Sequence, residues 1–549
     1  MAARQVFTGQ YFMVGYGDLF GPFRDRAHAR KEVDESERAS VEGNKDCTPN
    51  TDLRGRSLIA QRVYREHCGI FTQRCHMLDA PAKSASLNGT DHRTNHKQFF
   101  GIRAESFIAL VLFSAFALLF FSPSFTNYFV ADDFYFLGRI DFHTAGSYLT
   151  ESWGYGNEYR PAVAYSYALD SAGSGKNPVG YHLTNTVLHT VNALLIGTMV
   201  VLIGGSLPVA ILASIIFLLN PIAHESVIWI SGRPAVLGSL FVLSACHFLL
   251  RAARKQGKAF WPWVAGYVSF VLGLFTYEIA VVTPFLAVLV IQIGGGTDAK
   301  NRRHFVLLFI LTAVYILLWN WFFDFRITRF PVESSASGAV SSFARALTHS
   351  MHGSLRLRIA WFYVLLLALL VGRKSGRKLM LLALMWFFFA YLPFLIVQGY
   401  ADRFAYLASA ATAVVLAAAL HDLLKRSLPA GVVAATLLLA FQATGMQHRI
   451  RGWKEAGEIA RSITQDIKHI LPAFPEHRLL VLLNVPQMHD RAYVYFSGLD
   501  RALQLEYPGA TIKFATQLRP WADENSIILE YSGGKMIQRQ FQEVQSRYP

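Results

Sequence analysis

Charge is scarce in this chain. Asp, Glu, Lys and Arg make up 16% of 549 residues, against 53% hydrophobic and 14% aromatic, and mean hydropathy is +0.29. That shortage excludes an ordinary soluble globular protein and leaves a polytopic membrane protein with modest soluble parts. Cysteine is scarcer still, with Cys47, Cys68, Cys75 and Cys246 as the only four. Cys68, Cys75 and His76 lack the paired spacing of a zinc site, so the thiols read as free. No cysteine falls in the outward-facing regions inferred below, so no disulfide framework holds them. No signal peptide is expected either, because the first long apolar run begins only after residue 103. There is no repeat of fixed period. Acidic residues are outnumbered 37 to 52, for a formal charge of +15. In so apolar a chain that excess points to cytoplasmic loops and anionic lipid, not to nucleic acid.

What is present is a series of apolar runs. Eleven candidate spans lie near 104–123, 180–203, 206–222, 233–252, 259–276, 278–293, 304–323, 356–372, 378–397, 404–424 and 428–446, the third being the weakest. Residues 1–103 are mixed-charge and aperiodic and read as a disordered cytosolic tail. Basic residues sort the loops. Arg251, Arg254, Lys255 and Lys258, then Lys300, Arg302 and Arg303, then Arg373, Lys374, Arg377 and Lys378, then Lys425 and Arg426 share one side of an eleven-span bundle. The positive-inside rule makes that side cytoplasmic. The first loop (124–179), the turn 221–232, Tyr277–Glu278, the loop 324–355 and residues 398–404 then face outward. QHRIRGWK (447–454) resists this scheme, being basic yet outside. Either it acts on something there or one span is miscounted. Residues 447–549 change character: RLLVLLNVP (478–486) and TIKFATQL (511–518) read as strands, and SIILEYSGGKMIQRQF as a hairpin about Gly533–Gly534. A small extracytoplasmic α/β domain is expected, beyond a membrane region of 104–446.

The outward segments hold most of the unusual polar residues. ADDFYFLGRI sets two adjacent carboxylates, Asp132 and Asp133, just past the first apolar run. YRPAVAYSYALD (159–170) places Arg160 and a file of tyrosines on an interfacial helix with Pro161 in its first turn. Along 177–196, His182, Asn185, His189 and Asn192 recur at helical spacing and make one polar stripe, serving either as interhelical glue or as the lining of a wet cavity. NPIAHESVIWISGRP (220–234) brings His224, Glu225 and Arg233 to the headgroup level, without the spacing of a zinc protease. Glu278 lies between two apolar runs and needs a partner, for which Arg403 of YADRFAYLASA is the expected cation. Carboxylates, arginines, histidines and tyrosines from five segments therefore converge on one face.

In order and spacing, ADDFYFL, YRP, NPVGYHLTNTVLHTVNALL, NPIAHESVIWISGRPAVL, YEIAVVTPFL, ADRFAYLAS and Trp453 of QHRIRGWKEA resemble a known group. They are similar to the GT-C fold membrane glycosyltransferases, most closely the transmembrane and tetratricopeptide-repeat O-mannosyltransferases and their bacterial relatives. The resemblance covers roughly residues 125 to 460. It implies a polyprenyl-phosphate-linked sugar as donor and an acceptor hydroxyl on a protein, lipid or glycan, at the extracytoplasmic face. The family's acidic motif would be Asp132–Asp133. Tyr159, Arg160, His182, His224, Glu225, Arg233, Glu278, Arg403 and Tyr406 would bind donor phosphate and substrate. A hydroxyl acceptor needs a base, for which either Asp serves, and the departing phosphate needs cationic stabilisation from Arg403, Arg233 or His182. No cofactor is expected, a Mg²⁺ shared between an Asp and the phosphate being the alternative. The C-terminal portion departs from helical repeats, so the family's protein acceptors do not carry over and a bacterial inner membrane is the expected location. A lipid-linked sugar flippase and a non-enzymatic scaffold are the rival readings. A transporter would spread polar residues through the full membrane depth.

Overall fold

The computed structural model describes residues 92–150, 159–254, 260–294, 299–323, 336–352, 374–397, 400–474, 478–510, 512–518 and 522–547. The tail read as disordered lies almost entirely outside these residues, as do the expected span 356–372 and three of the four cysteines. Cys246 is buried as a free thiol.

In chain order the helices are α1 (His92–Phe121), α2 (Asp133–Phe136), α3 (Phe142–Ala145), α4 (Pro161–Ser174), α5 (Pro178–Leu202), α6 (Leu207–Leu219), α7 (His224–Val227) and α8 (Arg233–Arg254). Then come α9 (Phe260–Leu274), α10 (Thr283–Ile293), α11 (Ala299–Phe323), α12 (Ala336–His352), α13 (Lys374–Val397), α14 (Ser409–Arg426) and α15 (Leu428–Ile470). Two short helices, α16 (Leu499–Glu506) and α17 (Phe541–Gln545), lie among the strands. Among the described residues, six stretches are long and apolar enough to cross a membrane: Phe107–Ser124, Pro178–Leu202, Ile230–Arg254, Asn301–Phe322, Arg377–Leu395 and Leu428–Ile470. The protein is a polytopic α-helical membrane protein.

The starts of these helices follow from sequence. Pro161 and Pro178 stand in the first turns of α4 and α5, where a missing N–H costs nothing. Asn177 caps α5 by accepting the Val179 N–H. The span read as weakest is broken: α6 stops at Asn220–Pro221, and the chain turns by 48° into Pro221–Val227. Asn220 holds the break by accepting from the Ile222 N–H and donating to Ser350 O at 2.6 Å. The expected spans 259–276 and 278–293 appear as the shorter apolar helices Phe260–Leu274 and Glu278–Ile293.

The bundle has two chemically different ends. α5 and α8 run parallel, since Arg233 at the start of α8 reaches Asn185 and the Tyr181 carbonyl near the start of α5. At their far ends Thr198 meets His247. Arg251 and Arg254 fall in the last turn of α8, at that far end. His421 of α14 meets Ser206 there as well.

The boundary expected at 446/447 falls inside a continuous helix. α15 runs 43 residues, and beyond its apolar part it buries Ile450, Trp453, Ala456, Gly457, Ala460, Ile463 and Ile467. Those residues recur every three or four positions, so one helical face continues after hydropathy has ended. From Ile102 on, the chain is one compact unit. Past α15, strands β1 (Leu480–Leu483), β2 (Met488–His489), β3 (Ala492–Tyr493), β4 (Phe514–Ala515), β5 (Ile527–Ser532) and β6 (Lys535–Arg539) form two sheets. The larger has the order β4-β1-β5-β6, parallel at β1/β4 and β1/β5 and antiparallel at β5/β6. Gly533 and Gly534, both at positive φ (61° and 85°), make the hairpin turn that the sequence marked. The sheet is tied to α15 by the Met536 N–H, which donates to Asp466 Oδ2 at 3.0 Å.

Candidate active site

The two adjacent aspartates have opposite surroundings. Asp133 is 1% exposed and fully committed. Its Oδ2 accepts from Val130 N at 3.0 Å, and its Oδ1 from both the backbone N–H (2.9 Å) and the hydroxyl (2.5 Å) of Ser231. Asp133 thus stitches the first loop to the turn ahead of α8. Burial nonetheless pushes its carboxyl up to about 7, against these three donors and with Asp132 adding to the rise. Asp132 is only partly buried. Its Oδ1 accepts from the Ser497 hydroxyl, while Oδ2 accepts no hydrogen bond among the described residues. Burial raises its pKa also, opposed first by Ser497 and then by the charges of Arg403 and Arg160. Ala131, next to the pair, sits at φ 47°, which a residue other than glycine rarely adopts. Its N–H donates to Val494 O at 2.9 Å, so the C-terminal segment holds the turn in that conformation.

Arg403 faces this turn from the short helical turn Asp402–Ala405. Glu225 Oε2 accepts from both its backbone N–H (3.1 Å) and its Nη1 (3.2 Å). The guanidinium also donates to the Tyr493 hydroxyl at 3.1 Å and lies over the rings of Trp229 (5.3 Å) and Phe404 (5.0 Å). Its side chain keeps 27% exposure. Burial works against the charge, but Glu225, Tyr493 and Tyr277 together more than offset it and keep the arginine cationic. Asp402 anchors the same turn by accepting from His224 Nε2 at 2.9 Å, from Tyr400 and from His349. Burial opposes ionisation of Asp402, and the bonds from His224 and His349 prevail, holding it below the usual carboxylate range.

One expected pairing is corrected. Glu278 binds Arg160, not Arg403, through Oε1 at 3.0 Å and Oε2 at 2.9 Å. Arg403 belongs to Glu225 instead. Tyr159, beside Arg160, donates to Leu149 O at 2.8 Å. Three further candidates are sealed inside. Arg233 has no exposure and is held by Asn185, Ser166 O, Tyr181 O and Asp170. His182 is 2% exposed, with Nε2 on Asn127 O. Tyr406 has no exposure. His189 Nε2 must donate to the carbonyl of Leu218, so its Nδ1 accepts from the Tyr406 hydroxyl at 2.7 Å. Tyr406 in turn accepts from Asn192. The polar stripe of α5 is therefore glue.

The basic stretch that resisted the loop scheme meets the C-terminal segment. His448 and Arg449 each lie 3.5 Å from Asp490. Sequence reasoning passed over Asp402, although it stood beside Arg403 in the same quoted motif. It also passed over Ser231, Tyr493 and Ser497, for which no local pattern gives a signal.

His224, Glu225 and Asp402 offer ligand atoms within 4.8 Å of one another. Their bonding does not suit a metal. Trp453 Nε1 can only donate, so His224 Nδ1 accepts from it at 2.8 Å and Nε2 keeps the proton given to Asp402. Ligation through Nε2 would need an imidazole stripped of both protons while that bond lasts. Both oxygens of Asp402 are already spent on His224, Tyr400 and His349, and Glu225 Oε2 on Arg403.

No family model matches the chain. Over 124 residues, 22% of this chain, it is 35% identical to the Protein O-mannosyl-transferase TMTC2 of Homo sapiens. Over 132 residues, 24% of this chain, it is 30% identical to the Protein O-mannosyl-transferase F38B6.6 of Caenorhabditis elegans. The matched stretches span 15% and 19% of the length of those relatives. The similarity to O-mannosyltransferases read from the motifs is thus met in sequence. Among solved structures, ArnT from Cupriavidus metallidurans in the apo state aligns with a TM-score of 0.46 at 15% identity, covering 78% of this chain and 93% of that one. The same protein bound to undecaprenyl phosphate aligns at 0.42 and 13% identity, covering 76% and 92%.

Proposed function

We propose that the protein transfers a sugar from a polyprenyl-phosphate donor to an acceptor hydroxyl, with Asp132 as the general base. The observation that carries this reading is the contrast inside the acidic pair. Asp133 is locked by three donors, whereas Asp132 keeps one carboxylate oxygen uncommitted, within electrostatic reach of the partly exposed Arg403 and of Arg160. In one displacement the acceptor oxygen bonds to the anomeric carbon as the bond from that carbon to the phosphate oxygen breaks. Asp132 takes the hydroxyl proton and the anomeric configuration inverts. The lipid phosphate leaves with its electron pair, and Arg403, already aimed by Glu225 and Tyr493, faces the charge that develops. The Arg160–Glu278 pair holds α4 beside the turn before α10, and Arg160 adds positive potential at Asp132.

The names of the relatives make mannose the first sugar to test. The basic residues gather at the far end of the bundle, which supports a site on the extracytoplasmic face. The bacterial inner membrane expected from sequence belongs to the same reading. A transporter fits less well, because the α5 stripe that would line its path is sealed in the bundle and each of its four residues bonds to another segment. The reaction is proposed to proceed without a metal: chelation by EDTA is expected to leave transfer unchanged, and loss restored by Mg²⁺ would refute the metal-free scheme. The decisive experiment supplies labelled polyprenyl-phosphate mannose to membranes carrying wild type, Asp132→Asn or Asp133→Asn, and follows incorporated label at matched expression. Asp132→Asn is expected to abolish transfer. Retained transfer in that variant would remove Asp132 as the base.

A further inference from the structure

One short C-terminal segment touches both charged turns. Val494 O accepts from the N–H of Ala131, and the Ser497 hydroxyl donates to Asp132 Oδ1. Gly498 sits at φ 76°, and a Cβ there would lie 2.1 Å from Ala131 O, so the segment and the acidic turn approach closely enough to admit only glycine. At the other turn, the Tyr493 hydroxyl accepts from Arg403 Nη1 at 3.1 Å, with its ring 4.9 Å from that of Trp229. The segment is itself anchored. Val494 is fully buried, and Tyr495 stacks on Phe134 at 5.7 Å and donates to Ala460 O of α15 at 3.0 Å.

Resting on the transferase reading above, we propose that Ser497 is a positioning residue, pinning one oxygen of Asp132 so that only Oδ2 meets the reacting hydroxyl. The Tyr493–Gly498 segment is then a working part of the site and not an appendage. The physical reason is the softness of a carboxylate about its last torsion, which has two equivalent settings. A general base must hold its lone pair within hydrogen-bond reach of one proton. A single hydroxyl donor on Oδ1 removes that freedom and also favours the ionised form. The charged and titratable groups facing Asp132 are Asp133 in its own turn, Arg160 at the start of α4, Arg403 ahead of α14 and Tyr493 in β3.

Two measurements test this. The first is the pH profile of mannosyl transfer from polyprenyl-phosphate mannose in membranes carrying wild type, Ser497→Ala or Ser497→Thr. Ser497→Ala is expected to lower kcat by ~10-fold or more, which is the loss of one hydrogen bond to a charged group. The donor KM is expected to stay within about twofold. The acid limb of kcat should move to higher pH, because ionised Asp132 loses a donor, and Ser497→Thr should restore both rate and limb. A lowered rate with an unmoved acid limb would mean structural support only and would overturn the proposal. Should the Ala variant fail to accumulate, Ser497→Cys keeps the volume and weakens the donor. The second measurement needs no transfer: thermal midpoints of purified Ser497→Ala, Asp132→Asn and the double variant. Ser497→Ala is expected to cost less in the Asp132→Asn background, and additive shifts would overturn the contact itself. Wild-type membranes that transfer no sugar would refute the transferase reading and the positioning role with it, while the thermal cycle separately decides whether Ser497 governs Asp132.

Discussion

The polar stripe of α5 and the pair of charged turns above it both stand out in the sequence as candidate polar sites and end in opposite conditions. Along α5, His182, Asn185, His189 and Asn192 are at most 2% exposed, and each is bonded across to another segment. At the turns, Asp132 keeps an oxygen uncommitted and Arg403 keeps part of its guanidinium open. Polarity alone does not separate the two regions. What separates them is access: the atoms the stripe leaves without a partner, His182 Nδ1 and Asn192 Oδ1, are sealed inside the bundle, whereas Asp132 and Arg403 stay partly exposed. An apolar bundle spends most of its polar groups on itself, because lipid satisfies none of them.

The comparison can be broken, beginning with the largest effect. Asp132→Asn is expected to lower transfer by ~10²–10⁴-fold without lowering the thermal midpoint. Arg403→Ala should cost ~10²–10³-fold in kcat through the lost stabilisation of the leaving phosphate, and Arg403→Lys should recover only part, since a point charge cannot reproduce the fork. Activity equal to wild type in the Asp132 variant, together with loss of transfer on substituting His189, would reverse the assignment of the two regions.

Asp133→Asn belongs on the structural side. It turns an amide N–H₂ toward donors and is expected to cost about 1–3 kcal/mol of stability, with transfer falling only as folded protein falls. Its pH dependence has a definite sign. The folded carboxyl, pushed up to about 7, lies above the ordinary value of roughly 4, so the native state binds the proton more tightly between those limits. Stability from this group is therefore greatest at low pH and declines as pH rises through that window. The midpoint advantage of wild type over Asp133→Asn should narrow from about pH 4 to pH 7, and a widening would contradict the burial of that carboxyl. The smallest effect is expected for Tyr406→Phe, about 0.6 kcal/mol with unchanged transfer, measured by thermal midpoint beside activity.

Most apolar helices were legible because hydropathy and capping are local. Pro161, Pro178 and the Asn220–Pro221 break each announced themselves within a few residues. The Gly533–Gly534 hairpin did so too. The partner of Glu278 was not legible, because sequence fixes the depth of a residue along its helix better than the direction it faces around the bundle. Depth pointed to Arg403, and packing instead brought Arg160 to Glu278. The end of α15 was misplaced because apolarity stops near Met446, while the buried face Ile450, Trp453, Ala456 and Ala460 carries on through a basic stretch. A periodicity test there would have extended the helix. Within the acidic pair, adjacency says nothing about which carboxylate is open. Ser231 and Ser497, which decide it, lie 98 and 365 residues away along the chain.

That last separation bears on biosynthesis. A ribosome delivers the acidic turn to the membrane long before it makes Val494, Ser497 and Gly498. Until those residues arrive, nothing holds Ala131 in its unfavourable backbone setting, and Asp132 lacks its only hydrogen-bond donor among the described residues. On the transferase reading, the nascent bundle stays inert until Val494, Ser497 and Gly498 fold back onto that turn. By the same reading, a chain terminated ahead of Val494 should insert into the membrane without activity.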